Sequence, residues 1–176
     1  GVRKMKKILA TILALVLAIG VATMAWATET AAEKVAKVGE TEYATLQEAV
    51  NAADGKTVQL LQDVTASITI ESGKTVTLDL NGKTLTNEDG QHTITNNGTL
   101  TIVDTSAAKS GTVDNVTHAK GAIVNYGVTV LNGGTFERSQ EKGTYSPYGN
   151  GGNSWYTIAN YGKMEINAGV TVYNNG

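Results

Sequence analysis

The chain has no cysteine. That absence removes disulfides, thiolate metal sites and a thiol nucleophile together, and leaves packing and backbone hydrogen bonds to hold the fold. Basic charge is scarce as well. Arg3, Lys4, Lys6 and Lys7 fall within the first 27 residues, so that beyond them 10 of the 14 basic side chains stand against 16 acidic ones, and Arg138 is the only arginine left. The resulting net charge of about −6 excludes a nucleic-acid partner, since phosphate binding needs clustered lysine and arginine. Histidine occurs twice, at His92 and His118. Neither has a cysteine or a close second histidine beside it, so no metal site follows and no cofactor is expected.

Only one long apolar run exists, and it stands at the start. Met5 opens MKKILATILALVLAIGVATMAWA, with Lys6 and Lys7 before the run Ile8 to Met24 and Ala25-Trp26-Ala27 after it. This is the order of a secretory signal: basic n-region, apolar h-region, small-x-small cleavage site. The run approaches the roughly 17 to 25 residues of a membrane anchor, but the cleavage motif and the polar stretch behind it favour removal. Residues 1–27 therefore read as upstream residues plus a signal peptide, and the mature chain as secreted or held at the cell surface, without a membrane span. Residues 28–37, TETAAEKVAK, read as a mobile polar linker. At the other end VTVYNNG breaks off within a strand-and-turn unit, so that the domain at 38–176 reads as truncated at its C-terminus.

Helical periodicity occurs once. In TLQEAVNAADG, Leu46, Ala49, Val50 and Ala53 recur at i, i+3, i+4 and i+7, Thr45 and Glu48 form a capping box, and Gly55 is placed as a stop, which predicts a helix over about 45–54. Beyond it the period is two. VQLL, SITI, TVTLDLNG and TLTIV are short alternating strands separated by Gly, Asn and Asp turns. Alternation points Val76, Leu78, Leu80, Leu100 and Ile102 inward, and Thr75, Thr77, Asp79, Thr99 and Thr101 outward.

A repeat decides how these strands are arranged. ITNNGTLTIVD at Ile94, AIVNYGVTVLNGGTFE around Ile123 and TIANYGKMEINAG around Ile158 share Ile-x-Asn-(Asn/Tyr)-Gly, at spacings of 29 and 35 residues. Each period holds two or three strands and their turns, one rung of a solenoid rather than one hairpin. The expected fold is an all-β solenoid, a right-handed parallel β-helix with one N-terminal capping helix. Its stacking puts Ile94, Ile123 and Ile158 in one core column and Ile102, Leu131 and Ile166 in another. Asn96, Asn125 and Asn160 share the inward phase, and stacked carboxamides satisfy each other where an isolated one would cost about 1–3 kcal/mol. Gly98, Gly127 and Gly162 are expected to supply left-handed backbone at the corner.

From Glu42 to Thr86, EYATLQEAVNAADGKTVQLLQDVTASITIESGKTVTLDLNGKTLT resembles the capping helix and first coils of right-handed parallel β-helix domains of the pectin-lyase-like fold, as found at the start of secreted surface proteins of Gram-positive, often gut, bacteria. NGTLTI and NGGTF resemble later rungs of the same domains. The resemblance covers Val38 to Gly176 and implies architecture more than activity.

Chemistry is sparse. A lyase of this fold needs acidic residues holding calcium and an Arg or Lys base; Asp79, Asp104 and Asp114 lie at turns, where Asp is common for backbone reasons, and Arg138 is expected as a surface residue. The Asn-Thr-Asp, Asp-Asp and Arg-x-Lys runs of galacturonan hydrolases are missing, and the pair Glu88-Asp89 precedes Gly90 in a turn. No catalytic residue is assigned. The Thr-x-Thr pairs Thr75/Thr77, Thr93/Thr95 and Thr99/Thr101 read as ordinary exposed strand positions that do not recur at one fixed place. What remains is aromatic. Tyr145, Tyr148, Trp155 and Tyr156 sit with Pro147 in a Gly-rich insertion, while Tyr126 and Tyr161 follow the inward asparagine and should stack outside. Such rings suit sugars or a protein partner. The expected function is a non-catalytic stalk or adhesin-like surface module that presents loops to glycans or host proteins. Its alternative is the N-terminal part of a carbohydrate-active enzyme whose catalytic rungs lie beyond residue 176.

Overall fold

The computed structural model describes residues 32–139 and 156–174; residues 1–27, read above as a signal peptide, and Tyr145, Tyr148 and Trp155 of the insertion, lie outside the described residues. Strands β1 (Ala36–Val38) and β2 (Thr41–Tyr43) form an antiparallel hairpin. It draws Ala36 and Lys37 out of the stretch read as linker, because Ala36 and Val38 alternate inward and are buried. Helix α1 (Leu46–Ala52) follows, with the Thr45 side chain accepting from the Glu48 amide at 3.3 Å and with Leu46, Ala49 and Val50 buried. The N-cap and the apolar stripe thus fall where the periodicity puts them.

The strands then come in sets of three. A first rung holds β3 (Lys56–Leu60), β4 (Val64–Thr65) and β5 (Ile68–Ile70); a second β6 (Thr75–Asp79), β7 (Thr84–Thr86) and β8 (Ile94–Asn96). A third holds β9 (Thr99–Val103), β10 (Thr112–Asp114) and β11 (Ile123–Asn125), and a fourth β12 (Val128–Leu131), β13 (Gly134–Arg138) and β14 (Ile158–Asn160). Strands β15 (Lys163–Ile166) and β16 (Val170–Asn174) complete the described chain. Members of each set enter three sheets in rotation. Sheet 1 runs β15-β12-β9-β6-β3-β1-β2, sheet 2 β16-β13-β10-β7-β4 and sheet 3 β14-β11-β8-β5. From β3 onward the described pairings are parallel; only β1 pairs antiparallel, with β2 and β3. Among the described residues the result is an all-β arrangement of stacked parallel strands with one short helix, a β-helix-like fold.

Register makes the core. Ile94 lies opposite Ile123 and Ile123 opposite Ile158, and the column extends back to Ile68. On sheet 1, Leu78, Ile102, Leu131 and Ile166 form a second column; on sheet 2, Leu85, Val113, Phe136 and Val172 form a third. Full burial of one such side chain contributes about 1.5–3 kcal/mol, and like shapes stacked on like fill the narrow interior.

Asn96, Asn125 and Asn160 occupy one column above Ile70. Asn96 Nδ2 donates to Asn125 Oδ1 at 2.8 Å, and Asn125 Nδ2 donates to Asn160 Oδ1 at 2.7 Å. Both also donate one rung on, Asn96 to the Val128 carbonyl and Asn125 to the Lys163 carbonyl, each at 2.9 Å. Thr129, fully buried on an inward position of β12, donates to Asn125 Oδ1 and accepts from Asn96 Nδ2. One amide therefore stitches three rungs.

The glycine beside each asparagine works differently from the expectation. Gly98, Gly127 and Gly162 do not adopt positive φ. Instead the chain of one rung lies against the chain of the next: a Cβ on Gly127 would overlap the Gly98 carbonyl oxygen, and one on Gly162 that of Gly127. Space, not handedness, selects glycine.

Two outcomes are expected. Asn125→Leu leaves buried polar groups without partners and should lower the unfolding free energy by about 1–3 kcal/mol for each, whereas the exposed neighbour changed in Asn97→Leu should alter it by about 0.5 kcal/mol at most. Urea titration compares them, and equal effects would contradict the inward ladder. Gly127→Ala should lower the melting temperature more than Gly73→Ala, where a Cβ meets nothing within 4 Å and only a φ of +82° must be tolerated.

Candidate functional site

The residue after each ladder position faces out. Glu71, Asn97, Tyr126 and Tyr161 follow Ile70, Asn96, Asn125 and Asn160, and all four are exposed. Tyr126 and Tyr161 stack as their positions predict, with ring centroids 5.3 Å apart and planes inclined by 12°. They remain 57% and 66% exposed, so the pair is open to a ligand. Backbone contacts fix where the rings start, since the Tyr126 amide donates to the Asn96 carbonyl at 2.8 Å and the Tyr161 amide to the Asn125 carbonyl at 2.7 Å. Tyr156, 73% exposed just before β14, lines a concavity with Ile158 and Tyr173.

The three aspartates, read from the sequence as solvated turn carboxylates, are buried: Asp79 is 2%, Asp104 5% and Asp114 7% exposed. Each bridges rungs. Asp79 Oδ1 accepts from the Asn81 and Thr105 amides, and Oδ2 from Gln59 Nε2 and the Thr105 hydroxyl, at 2.7–3.0 Å. Asp104 accepts from the amides of Gly82, Ser106 and Gly111 at 2.6–3.0 Å. Asp114 accepts from the Ser139 amide and hydroxyl. Burial raises the carboxyl pKa of Asp79 and of Asp104, but the hydrogen bonds outweigh it, and both lie below the usual aspartate range. Asp89 closes a turn by accepting from the Gln91 amide.

Arg138 is fully buried and not a surface residue. It keeps the inward phase of Gly134 and Phe136 on β13, and its register stacks it one step past Glu137 over Asn115, itself over Asn87. This second inward polar column was missed in the sequence, although Asn87 and Asn115 each stand two residues after a core residue, Leu85 and Val113. Asn115 Nδ2 donates to the Gln91 carbonyl and to Thr93 Oγ1, and Arg138 Nη2 donates to the Thr117 carbonyl at 3.0 Å. Burial lowers the Arg138 pKa, opposed by Asp114. Burial, then the neighbouring Asp114, raises that of Glu137. His92 lies in the same corner, its Nδ1 accepting from the Gly121 amide at 2.9 Å, and burial followed by Lys120 lowers its pKa. The arrangement ties a corner together with Arg138 buried inside it. His92 and His118 form no metal cluster, nor does any group of His, Asp and Glu among the described residues.

The threonines are more regular than the sequence suggests. Thr75 lies opposite Thr99, and Thr77 opposite Thr101, on sheet 1, whereas Thr95 belongs to sheet 3, opposite Thr69. The array ends where Val128 and Val130 continue the same columns.

Folding lowers the Asp79 and Asp104 carboxyl pKa values, so their stabilisation is present above about pH 4, the value in an unfolded chain, and is lost as pH falls through the folded-state values. Asp104→Asn should therefore lower stability at pH 7 and flatten its decline below pH 4, measured by urea titration at several pH values; an unchanged slope would contradict the role given to Asp104.

No helix among the described residues is long and apolar enough to cross a membrane. No protein-family model matches the chain, and neither a curated protein nor a solved structure matches it.

Proposed function

We propose that the chain is an exported cell-surface module of a Gram-positive type bacterium, built as a right-handed parallel β-helix of the pectin-lyase-like kind, that binds glycans without catalysis. The right-handed reading is supported by the parallel connections within each sheet, because a strand rejoining its sheet in parallel does so right-handedly in about 98% of cases. Export rests on the basic, apolar and Ala-x-Ala segments of the first 27 residues. The observation that carries the binding function is the Tyr126–Tyr161 pair, exposed, parallel and held by two backbone hydrogen bonds. Ordering side chains on binding costs about 0.5–1.5 kcal/mol each; here much of that ordering precedes the ligand. A tyrosine ring has an apolar face and a polar tip, matching the carbon-bound hydrogens and hydroxyls of a sugar. The non-catalytic part draws support from the carboxylates, since Asp79, Asp104 and Asp114 hold backbone amides in place.

Tyr161→Ala and Tyr126→Ala test this on a glycan array. The protein should retain a glycan that Tyr161→Ala holds about tenfold more weakly or worse, as loss of an aromatic anchor gives, with urea midpoints little changed. No retained glycan, or equal retention by the variant, would overturn the reading.

A further inference from the structure

Turn length varies along the corner between sheet 1 and sheet 2. Residues 104–111 join β9 to β10 and residues 167–169 join β15 to β16, but only Asn132 and Gly133 join β12 to β13. The short turn between longer ones leaves a recess of about 240 Å³, lined by Lys109 from the first, Asn132 and Gly133 from the second and Gly169 from the third. The residues around it offer donors. Lys109 Nζ donates to the Asp104 carbonyl at 2.6 Å, which fixes the ammonium and uses one of its three hydrogens. Asn167 Nδ2 donates to Asn132 Oδ1 at 2.7 Å, while Asn132 Nδ2 donates to no residue among those described. Gly133 is buried, yet its amide donates to no described residue either, and buried amides without an acceptor are rare. The one carboxylate at the recess is already engaged, since Asp104 accepts from the amides of Gly82, Ser106 and Gly111. Lys109 itself is left-handed, with φ +52°, a conformation that glycine adopts without the strain a Cβ brings. Lysine thus supplies a charge where the backbone alone would favour glycine.

We infer that this recess binds a phosphate group, free or esterified to a small molecule. A phosphate monoester at neutral pH carries about −1.5 to −2 charges and three strong acceptor oxygens, which matches one fixed cation and two neutral donors with no acceptor left to oppose them. The volume admits that group and part of its carrier, being below the roughly 300–1,000 Å³ of pockets that enclose a whole drug-sized ligand. Lysine meets phosphate as a point charge, so the affinity falls as salt screens it. All three donors belong to rungs with strands stacked on both sides, because β12 and β13 are covered by β15 and β16, and the site does not depend on the last strands. It is also separate from the Tyr126–Tyr161 pair, which lies at the corner between sheet 3 and sheet 1.

Amide spectra of the nitrogen-labelled full chain at low ionic strength test the site with inorganic phosphate, glucose 1-phosphate and glucose. The Gly133 amide should shift saturably with both phosphates and not with glucose; tighter binding of the ester assigns part of the recess to the carrier, and equal binding assigns it to the phosphate alone. Lys109→Gly should abolish the shift in a spectrum that is otherwise that of the folded chain, and Lys109→Arg, which keeps the charge, should retain it. A Gly133 amide unmoved by phosphate, an equal shift with glucose, or a shift unchanged in Lys109→Gly would overturn the inference.

Discussion

The side-chain amide of Asn125 accepts from Asn96 in the rung before and donates to Asn160 in the rung after. That relay works only when the rungs repeat in register, because a slip of one residue would replace the amide by an outward side chain. The core columns obey the same condition, and so does the glycine that follows, since Gly127 fits only where the Gly98 carbonyl approaches it. Polar satisfaction, packing and backbone clearance thus impose one register from three directions. Agreement of that kind, more than the strength of any one contact, makes a sequence specify one fold.

Register also shapes the exterior. The constraint that sets asparagine over asparagine sets tyrosine over tyrosine one residue later, so an exposed aromatic pair is held without a dedicated scaffold. At the turns, Asp79 and Asp104 tie successive rungs by collecting amides from both. The long insertion follows β13, where the Asn87–Asn115 column gives way to Arg138 and the corner is held by side-chain hydrogen bonds. Rigid corners on stacked strands are a suitable base for a binding surface.

Much of this is legible in the chain itself, because period-two alternation and the Ile-x-Asn motif report the inner face directly. Ile94, Ile123, Ile158 and the three asparagines were placed by counting, as were the stripe and N-cap of α1. What escaped did so for three different reasons. Burial at a corner depends on the rungs above and below, which alternation within one strand does not include, so Asp79 reads as outward although its neighbours Gln59 and Thr105 enclose it. Arg138 escaped for another reason: its phase on β13 points inward, but its charge argued for the surface, and the Thr117 carbonyl and the Asp114 carboxylate are among the groups that make burial tolerable. The β1–β2 hairpin is short and its flank polar, leaving too little periodicity to detect.

The central claim is that equivalent residues of successive rungs lie directly over one another. Methyl–methyl nuclear Overhauser contacts in a chain labelled only at isoleucine test it without disturbing a side chain. The account predicts contacts from Ile68 to Ile94, from Ile94 to Ile123 and from Ile123 to Ile158, with none from Ile68 to Ile123. Missing nearest-neighbour contacts, or a contact that skips a rung, would contradict it.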